Sequence, residues 1–204
     1  MVLPEPAADQ RAARAVINHH TELAAALTKL TGQLLEAAEA GDPPVARRRQ
    51  NQLVAWLREE LMPHAQAEEA GMYPAAAGLP DGRLLIEGML GEHRTVAALV
   101  AEIEDAASPV AAAAAARALQ AVFADHLAKE NDLVVPLLVA AGNVSLAGLL
   151  DGMHEILGAG TASPAPGAGE GCGCGGCECG NGSPAAAEAP EVSPIPPHQT
   201  AATG

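Results

Sequence analysis

The sequence predicts an all-α protein, and three features of its 204 residues support this prediction. Hydrophobic residues make up 49% of the chain but aromatic residues only 1%. The core must therefore be built from Leu, Val, Ile and Ala, which favours closely packed helices over a β-sandwich. Apolar residues also recur at steps of three and four along four long stretches, and Gly- and Pro-rich segments separate them. We expect an antiparallel up-and-down four-helix bundle.

The first two predicted helices end at recognisable breakers. The first runs from about residue 8 to 40 and stops at Gly-Asp-Pro-Pro, residues 41–44. The second covers about 45–77 and contains Pro63, which should remove a backbone hydrogen bond and bend the helix. Residues 78–82 then form a loop by composition.

The remaining helices are predicted from their caps. The third runs from about 83 to 107 and is followed by Ser108-Pro109, typical of an N-cap and a first-turn proline. The fourth continues to about residue 140. Ser145 should cap a short fifth helix that ends near Leu157, so the predicted domain covers residues 1–157.

From residue 158 the composition changes to Gly, Ala and Pro without Lys or Arg, and we expect a disordered tail over 158–204. This tail contains all four cysteines of the chain in a C-x-C-x-x-C-x-C cluster. Their thiolates could chelate a soft metal or act in redox chemistry, and the alternative is a flexible tail without such a role. The four residues are Cys172, Cys174, Cys177 and Cys179.

The charge balance limits the possible partners. The formal net charge is −14, and neither basic patches nor stacking aromatic residues are present, so we expect no nucleic-acid or anionic-membrane partner. No apolar run approaches the length of a membrane span, and the N-terminus lacks the features of a signal peptide. We expect a soluble cytoplasmic protein whose thiols stay reduced.

A histidine and a glutamate stand four residues apart twice, as His64 with Glu68 and as His126 with Glu130. On an α-helix this spacing places both side chains on one face, about 6 Å apart along the axis. An imidazole and a carboxylate on one inward face, presented twice, are typical of a metal site.

Two further histidines lie in apolar stripes. His20 fills the one gap in the stripe of the first helix, whereas His19 lies about 100° away, so we select His20. His93 lies in the stripe of the third helix. Burying four imidazoles and two carboxylates is unfavourable unless something compensates. A metal pair would compensate better than the alternative, a hydrogen-bonded polar network, and ligands without thiolate suit iron, manganese or zinc.

Four segments together resemble the hemerythrin-like HHE cation-binding domain over about residues 10–157: NHHTEL (18–23), HAQAEEAGMYP (64–74), EHR (92–94) and HLAKENDLVVP (126–136). The resemblance implies a four-helix bundle with a non-haem di-iron centre between the helices. By matching position it also implies the iron ligands, which would be His20, His64, His93 and His126, with Glu68 and Glu130 as bridges.

The chain departs from oxygen-carrying hemerythrins at two positions. Ala97 stands where the carriers have a further histidine, and Glu130 replaces an aspartate that lies one residue later in the carriers. Both differences disfavour a reversible O2 carrier. The resemblance implies a protein that binds or senses O2, peroxide or NO and handles iron. The alternatives are a peroxide- or NO-consuming or iron-oxidising oxidoreductase, and metal storage or delivery aided by the tail cysteines.

Residues next to the proposed ligands are expected to have lesser roles. Glu69 lies about 140° from His64 around the helix, so we expect it to support the site or to be solvated. Glu92 and Asp125 point about 100° away from the ligand histidines that follow them, which favours a surface role. Tyr73 could approach the site as a proton or electron donor, although packing is favoured.

Overall fold

The computed structural model describes residues 6–152, and all regular secondary structure within this range is helical. The all-α prediction is therefore confirmed for the described part of the chain. Two π-helical turns interrupt the α-helices, at Leu57–Leu61 and Glu130–Val134. The α-helices are α1 (Pro6–Glu39), α2 (Pro43–Trp56), α3 (Met62–Ala70), α4 (Met72–Ala77), α5 (Gly82–Asp105), α6 (Pro109–Lys129), α7 (Val135–Ala140) and α8, which begins at residue 146 and is described to residue 152.

Several sequence predictions fall on residues outside this range. The end of the short fifth helix near Leu157, the tail over 158–204 and its cysteine cluster lie beyond the described residues, so they stay predictions. The domain boundary after residue 157 stays a prediction for the same reason. Among the helices of the described range, none has the length and apolar character needed to span a membrane.

Capping side chains define the helix ends that the sequence predicts. Gly41 adopts a φ of 66°, the left-handed conformation that ends α1, and the Asp42 side chain then accepts a 3.1 Å hydrogen bond from the N–H of Val45 in α2. The hydroxyl oxygen of Ser108 accepts from the backbone at the start of α6, and that of Ser145 accepts at the start of α8, both at 3.2 Å. The predicted caps at Ser108 and Ser145 are confirmed.

Each π turn is followed by a proline, Pro63 in α3 and Pro136 in α7. Proline has no N–H and its ring crowds the carbonyl group four residues earlier, so a regular α-helix is disfavoured there. The residue before each proline, Met62 or Val135, instead donates its N–H to the carbonyl five residues earlier. The predicted disturbance at Pro63 therefore takes the form of a π turn.

Contacts and cross-helix hydrogen bonds describe how the helices lie beside one another. Helix α1 packs against α2 and α6, and α5 packs against the same two helices. Between α1 and the segment from α6 to α7, His20 bonds to Asn131 at 2.8 Å and Thr28 bonds to Gln120 at 2.9 Å. As residue numbers rise along α1, those of the contacting residues in the α6–α7 segment fall, so the two segments run in opposite directions. These pairs support the antiparallel four-helix bundle, which stays our proposal for the arrangement.

The apolar core consists of two clusters with a polar layer between them. On α1, Val16 belongs to one cluster and Leu23 to the other, and His20 lies between the two. On α5, His93 likewise lies between Met89 and Val96. The helices therefore bring polar side chains together at a single level, enclosed by apolar packing on both sides.

Gly82 opens α5 at a point where the chain approaches α4 closely. A Cβ atom at this position would lie 1.7 Å from the carbonyl oxygen of Ala76, so a side chain forces the two helices apart. Gly82→Ala should lower the free energy of unfolding by about 1–3 kcal/mol. Gly88→Ala in the same helix, where a Cβ meets nothing within 4 Å, should raise it by about 1 kcal/mol. Denaturant unfolding of both variants measures this, and similar effects at the two positions would contradict the packing described.

Candidate metal centre

Six buried side chains meet in the polar layer, and they are the six that the sequence analysis proposes as ligands. None of them exposes more than 8% of its surface. They come from all four long helical segments: His20 from α1, His64 and Glu68 from α3, His93 from α5, His126 from α6, and Glu130 from the first position of the second π turn. His19 is exposed, and its ring contacts that of His64 edge-on, with centroids 5.0 Å apart.

The potential ligand atoms form two groups, and within each group they lie within 4.8 Å of one another. The His20 group consists of His20, His64, Glu68 and Glu130, and the His93 group consists of Glu68, His93 and His126. Glu68 belongs to both. Its Oε1 lies 2.9 Å from His64 Nε2, and its Oε2 lies 3.5 Å from His93 Nε2. The two oxygens of one carboxylate thus face different groups, which is the arrangement a bridging carboxylate needs.

Glu130 lies between the same two groups. Its Oε2 is 3.6 Å from His20 Nε2 and 3.5 Å from His126 Nε2. Its other oxygen, Oε1, accepts a 2.7 Å hydrogen bond from the Tyr73 hydroxyl, which also lies 3.3 Å from His93 Nε2. Tyr73 is 1% exposed, and because its buried hydroxyl makes this hydrogen bond, packing alone does not describe its position. The hydroxyl holds Glu130 so that Oε2 faces both groups.

The donor set fits a metal ion. Five of its atoms are buried and make no well-aligned hydrogen bond in the described part of the chain, although His64 Nε2 and Glu68 Oε1 lie 2.9 Å apart: His20 Nε2, His64 Nε2, both carboxylate oxygens of Glu68, and Glu130 Oε2. An unpaired buried polar atom costs about 1–3 kcal/mol, more when it is charged. A hydrogen-bonded polar network would pair these atoms with one another, whereas cations between the helices would satisfy all five. The nitrogen and oxygen donors suit iron, manganese or zinc.

A distance within the His93 group is compatible with a shared ion. The Nε2 atoms of His93 and His126 lie 3.1 Å apart, a separation that a hydrogen bond between the two rings would also give. Two imidazole nitrogens that bind one ion at about 2.1 Å, at a right angle, are separated by about 3.0 Å. The two rings are therefore placed as neighbouring ligands of one ion would be.

The two carboxylates differ in their electrostatic surroundings. Burial alone would raise the pKa of Glu68, but His64, His20 and His93 outweigh burial and hold its pKa well below the ordinary value. Burial and the charge of Glu68 raise the pKa of Glu130 well above its ordinary value. Without metal, the layer therefore favours one ionised and one protonated carboxylate.

The imidazoles also differ. Burial and the neighbouring His93 lower the pKa of His126 to about 4, so this ring is neutral at pH 7. Burial opposes protonation of His93 as well, but the carboxylates of Glu68 and Glu69, which lie 3.5 Å and 2.8 Å from its ring nitrogens, raise its pKa. The neutral ring of His126 therefore offers the lone pair that a metal ion binds.

Three of the four histidine rings have a hydrogen-bond partner at Nδ1, on the side of the ring away from the centre. This leaves their Nε2 atoms facing the centre. The partners differ between the two groups: Asn131 Oδ1 lies 2.8 Å from His20 Nδ1, Glu69 Oε1 lies 2.8 Å from His93 Nδ1, and Glu92 Oε2 lies 3.1 Å from His126 Nδ1. Lys129 donates to both Glu92 and Asp125, so it holds the carboxylate of Glu92 in place.

Sequence reasoning missed part of this support. The surface role expected for Glu92 is wrong, because the carboxylate reaches across from α5 to a histidine of α6. Asp125 is exposed, as expected. The supporting role of Glu69 is confirmed. Asn131 belongs to the second π turn, where α-helical spacing no longer applies, so no periodic signal pointed to it.

The comparison with protein families agrees with this geometry. A family model described as the hemerythrin HHE cation binding domain matches residues 11–138, a range that contains all six side chains and more than half of the chain. The chain belongs to the hemerythrin HHE cation-binding domain family. The resemblance inferred from the four segments is therefore confirmed. Comparison with curated proteins and with solved structures gives no match.

The HHE family is described by cation binding, so the two groups of ligand atoms are candidate cation sites. In this HHE domain the His20 group contains four residues and the His93 group three. Ala97 lies one turn after His93 on α5 and supplies no ligand atom. Because Glu130 Oε2 also lies 3.5 Å from His126 Nε2, a cation in either group would have two imidazoles and both carboxylates within reach.

The contribution of the Tyr73 hydroxyl to metal binding can be measured separately from the contribution of its ring to stability. Tyr73→Phe should leave the unfolding midpoint of the metal-free protein nearly unchanged, because the buried ring is retained. It should weaken metal binding about 10- to 100-fold, the usual cost of losing a bond that orients a ligand. Competitive metal titration measures this. An unchanged metal affinity would mean that Tyr73 contributes packing only.

Proposed function

We propose that this chain is a non-haem di-iron protein that binds or senses O2 or a related small ligand such as peroxide or NO, and that it handles iron. The observation that carries the proposal is the pair of ligand groups that share Glu68 and contain five buried atoms without a well-aligned hydrogen bond. The proposed ligands are His20, His64, His93 and His126, with Glu68 and Glu130 as bridges. The antiparallel four-helix bundle is part of the same proposal.

Iron is proposed because the site offers four imidazoles and two carboxylates without a thiolate. Iron held by such ligands with coordination positions left open binds dioxygen and its reduced forms. The protein residues position the ligands and exclude bulk water, since apolar clusters enclose the polar layer at both ends. Ala97, which supplies no ligand, favours binding or sensing over reversible O2 transport.

One observation favours an oxidoreductase as the second candidate. The Tyr73 hydroxyl bonds to Glu130 and lies 3.3 Å from His93 Nε2, so a proton or electron donor would stand directly beside the proposed centre. Storage or delivery of metal through the tail cysteines rests on the sequence alone. The cytoplasmic location and the exclusion of a nucleic-acid partner also rest on the sequence alone.

The proposal is tested by loading the protein with Fe(II) without oxygen, exposing it to air and then degassing it. We expect about two irons per chain and a visible charge-transfer band that appears in air. A band that disappears on degassing would indicate reversible binding, and a band that changes irreversibly would favour sensing or oxidation. A protein that takes up no iron would contradict the proposal.

The ligand assignment is tested with two adjacent glutamates on α3. Glu68→Ala removes the carboxylate shared by both groups and should lose at least one iron per chain. Glu69→Ala removes only the partner of His93 Nδ1 and should keep both irons, with weaker binding. Metal analysis after gel filtration measures both variants. Full iron retention in Glu68→Ala would show that the assignment is wrong.

The two adjacent histidines of α1 form a second matched pair. His20 is 1% exposed and faces both glutamates, whereas His19 is exposed. His20→Ala should therefore reduce the iron content more than His19→Ala does. Metal analysis of both variants measures this, and the opposite order would contradict the choice of His20.

A further inference from the structure

The two ligand groups differ in the partners that lie behind their histidine rings. In the His93 group, Glu69 Oε1 lies 2.8 Å from His93 Nδ1. In the same group, Glu92 Oε2 lies 3.1 Å from His126 Nδ1. In the His20 group, the one Nδ1 partner among the described residues is the neutral amide oxygen of Asn131. Within residues 6–152, carboxylates that bond to Nδ1 are thus found in the His93 group alone.

The carboxylate of Glu92 is held in a partly buried position. Its side chain is 25% exposed, and Lys129 donates both to it and to Asp125. Two carboxylates share this one ammonium group, so Lys129 positions Glu92 without cancelling the negative charge of the cluster. Glu69 is 44% exposed, so solvent screens its charge more strongly than that of Glu92.

The proposed ligand carboxylates do not offset this difference, because each of them faces both groups. Glu68 directs one oxygen toward each group. Glu130 Oε2 lies 3.6 Å from His20 Nε2 and 3.5 Å from His126 Nε2. A cation in either group would therefore have two imidazoles and the same two carboxylates within reach. The remaining difference lies behind the rings, at Nδ1.

The partner at Nδ1 changes how strongly the opposite ring nitrogen binds a cation. When the Nδ1–H group donates to a carboxylate, Nε2 becomes a more basic ligand. Such a charge-assisted hydrogen bond is about twice as strong as a hydrogen bond to a neutral acceptor such as an amide. More basic ligands and nearby negative charge stabilise a cation more as the charge of that cation rises. The His93 group is therefore better suited than the His20 group to the more highly charged of two cations.

We propose that Glu69 and Glu92 are positioning residues that make the His93 group the site of the more highly charged cation. This inference rests on the proposed function. When an electrode removes one electron from the protein loaded with two Fe(II) ions, the resulting ferric ion lies at His93 and His126. The remaining ferrous ion lies in the His20 group. The two halves of the centre are thus unequal, although their ligands are of the same kind.

Spectroelectrochemical titration of the iron-loaded protein without oxygen tests this inference, with the electrode accepting one electron for each Fe(II) oxidised to Fe(III). We expect two one-electron potentials, of which the lower belongs to the His93 group. Glu92→Gln keeps an oxygen acceptor for His126 Nδ1 but removes the negative charge. It should raise the lower potential by about 59 mV, which corresponds to a tenfold weaker preference for ferric over ferrous iron. Glu69→Gln should raise the same potential by less, because the charge of Glu69 is more screened.

Asp125→Asn is the matched control for Glu92→Gln. It removes a carboxylate from the same cluster around Lys129, but Asp125 is 71% exposed and its hydrogen bond goes to Lys129 rather than to a histidine. Both potentials should therefore stay close to those of the wild type. Asn131→Asp is the converse substitution, because it places a carboxylate behind the ring of His20. It should lower the higher potential and bring the two potentials closer together.

The shifts in the variants decide the inference, because two neighbouring ions repel each other and separate the potentials in any case. A rise of the lower potential in Glu92→Gln and a fall of the higher one in Asn131→Asp support it. Unchanged potentials in Glu92→Gln and Glu69→Gln, an equal shift in Asp125→Asn, or a fall of the lower potential in Asn131→Asp would overturn it. If Glu92→Gln loses iron, Asn131→Asp decides the question, because it keeps every proposed ligand. A wild-type protein that binds no iron would instead contradict the proposed function.

Discussion

The structure depends on the burial of four imidazoles and two carboxylates in one layer between two apolar clusters. Five atoms of this layer make no well-aligned hydrogen bond within residues 6–152. Such a layer is unfavourable by itself, and its geometry is explained if cations occupy the space that these atoms face. Glu68 is central, because its two oxygens face the two groups separately. Stability of the fold and occupation of the site are therefore coupled.

The irregular parts of the helices position this layer. The first π turn ends just before α3, which carries His64 and Glu68, and the second begins at Glu130 itself. Prolines that follow the turns make the regular α-helix unfavourable there, so the sequence encodes these interruptions locally. In α4, Tyr73 is then directed inward and bonds to Glu130. The second π turn thus brings Asn131 beside His20, a contact that α-helical spacing does not predict.

Helical periodicity was sufficient to predict the layer but not its support. The apolar stripe of α1 predicts His20 rather than His19, and His20 is the buried one, because burial follows the 3.6-residue period directly. The same reasoning gives a wrong result for Glu92, whose carboxylate crosses from α5 to α6, because the period of one helix carries no information about its neighbour. Asn131 was missed since it lies in a π turn, where the angular spacing of an α-helix no longer applies.

Anomalous diffraction at the iron absorption edge from crystals of the Fe(II)-loaded protein would show whether the polar layer binds two irons that share Glu68. Two peaks are expected in the polar layer, one bounded by His20 and His64, the other by His93 and His126, with Glu68 between them. One peak in only one of the groups would contradict the shared-carboxylate arrangement. Peaks elsewhere, with the layer unchanged from the metal-free protein, would contradict the metal centre itself.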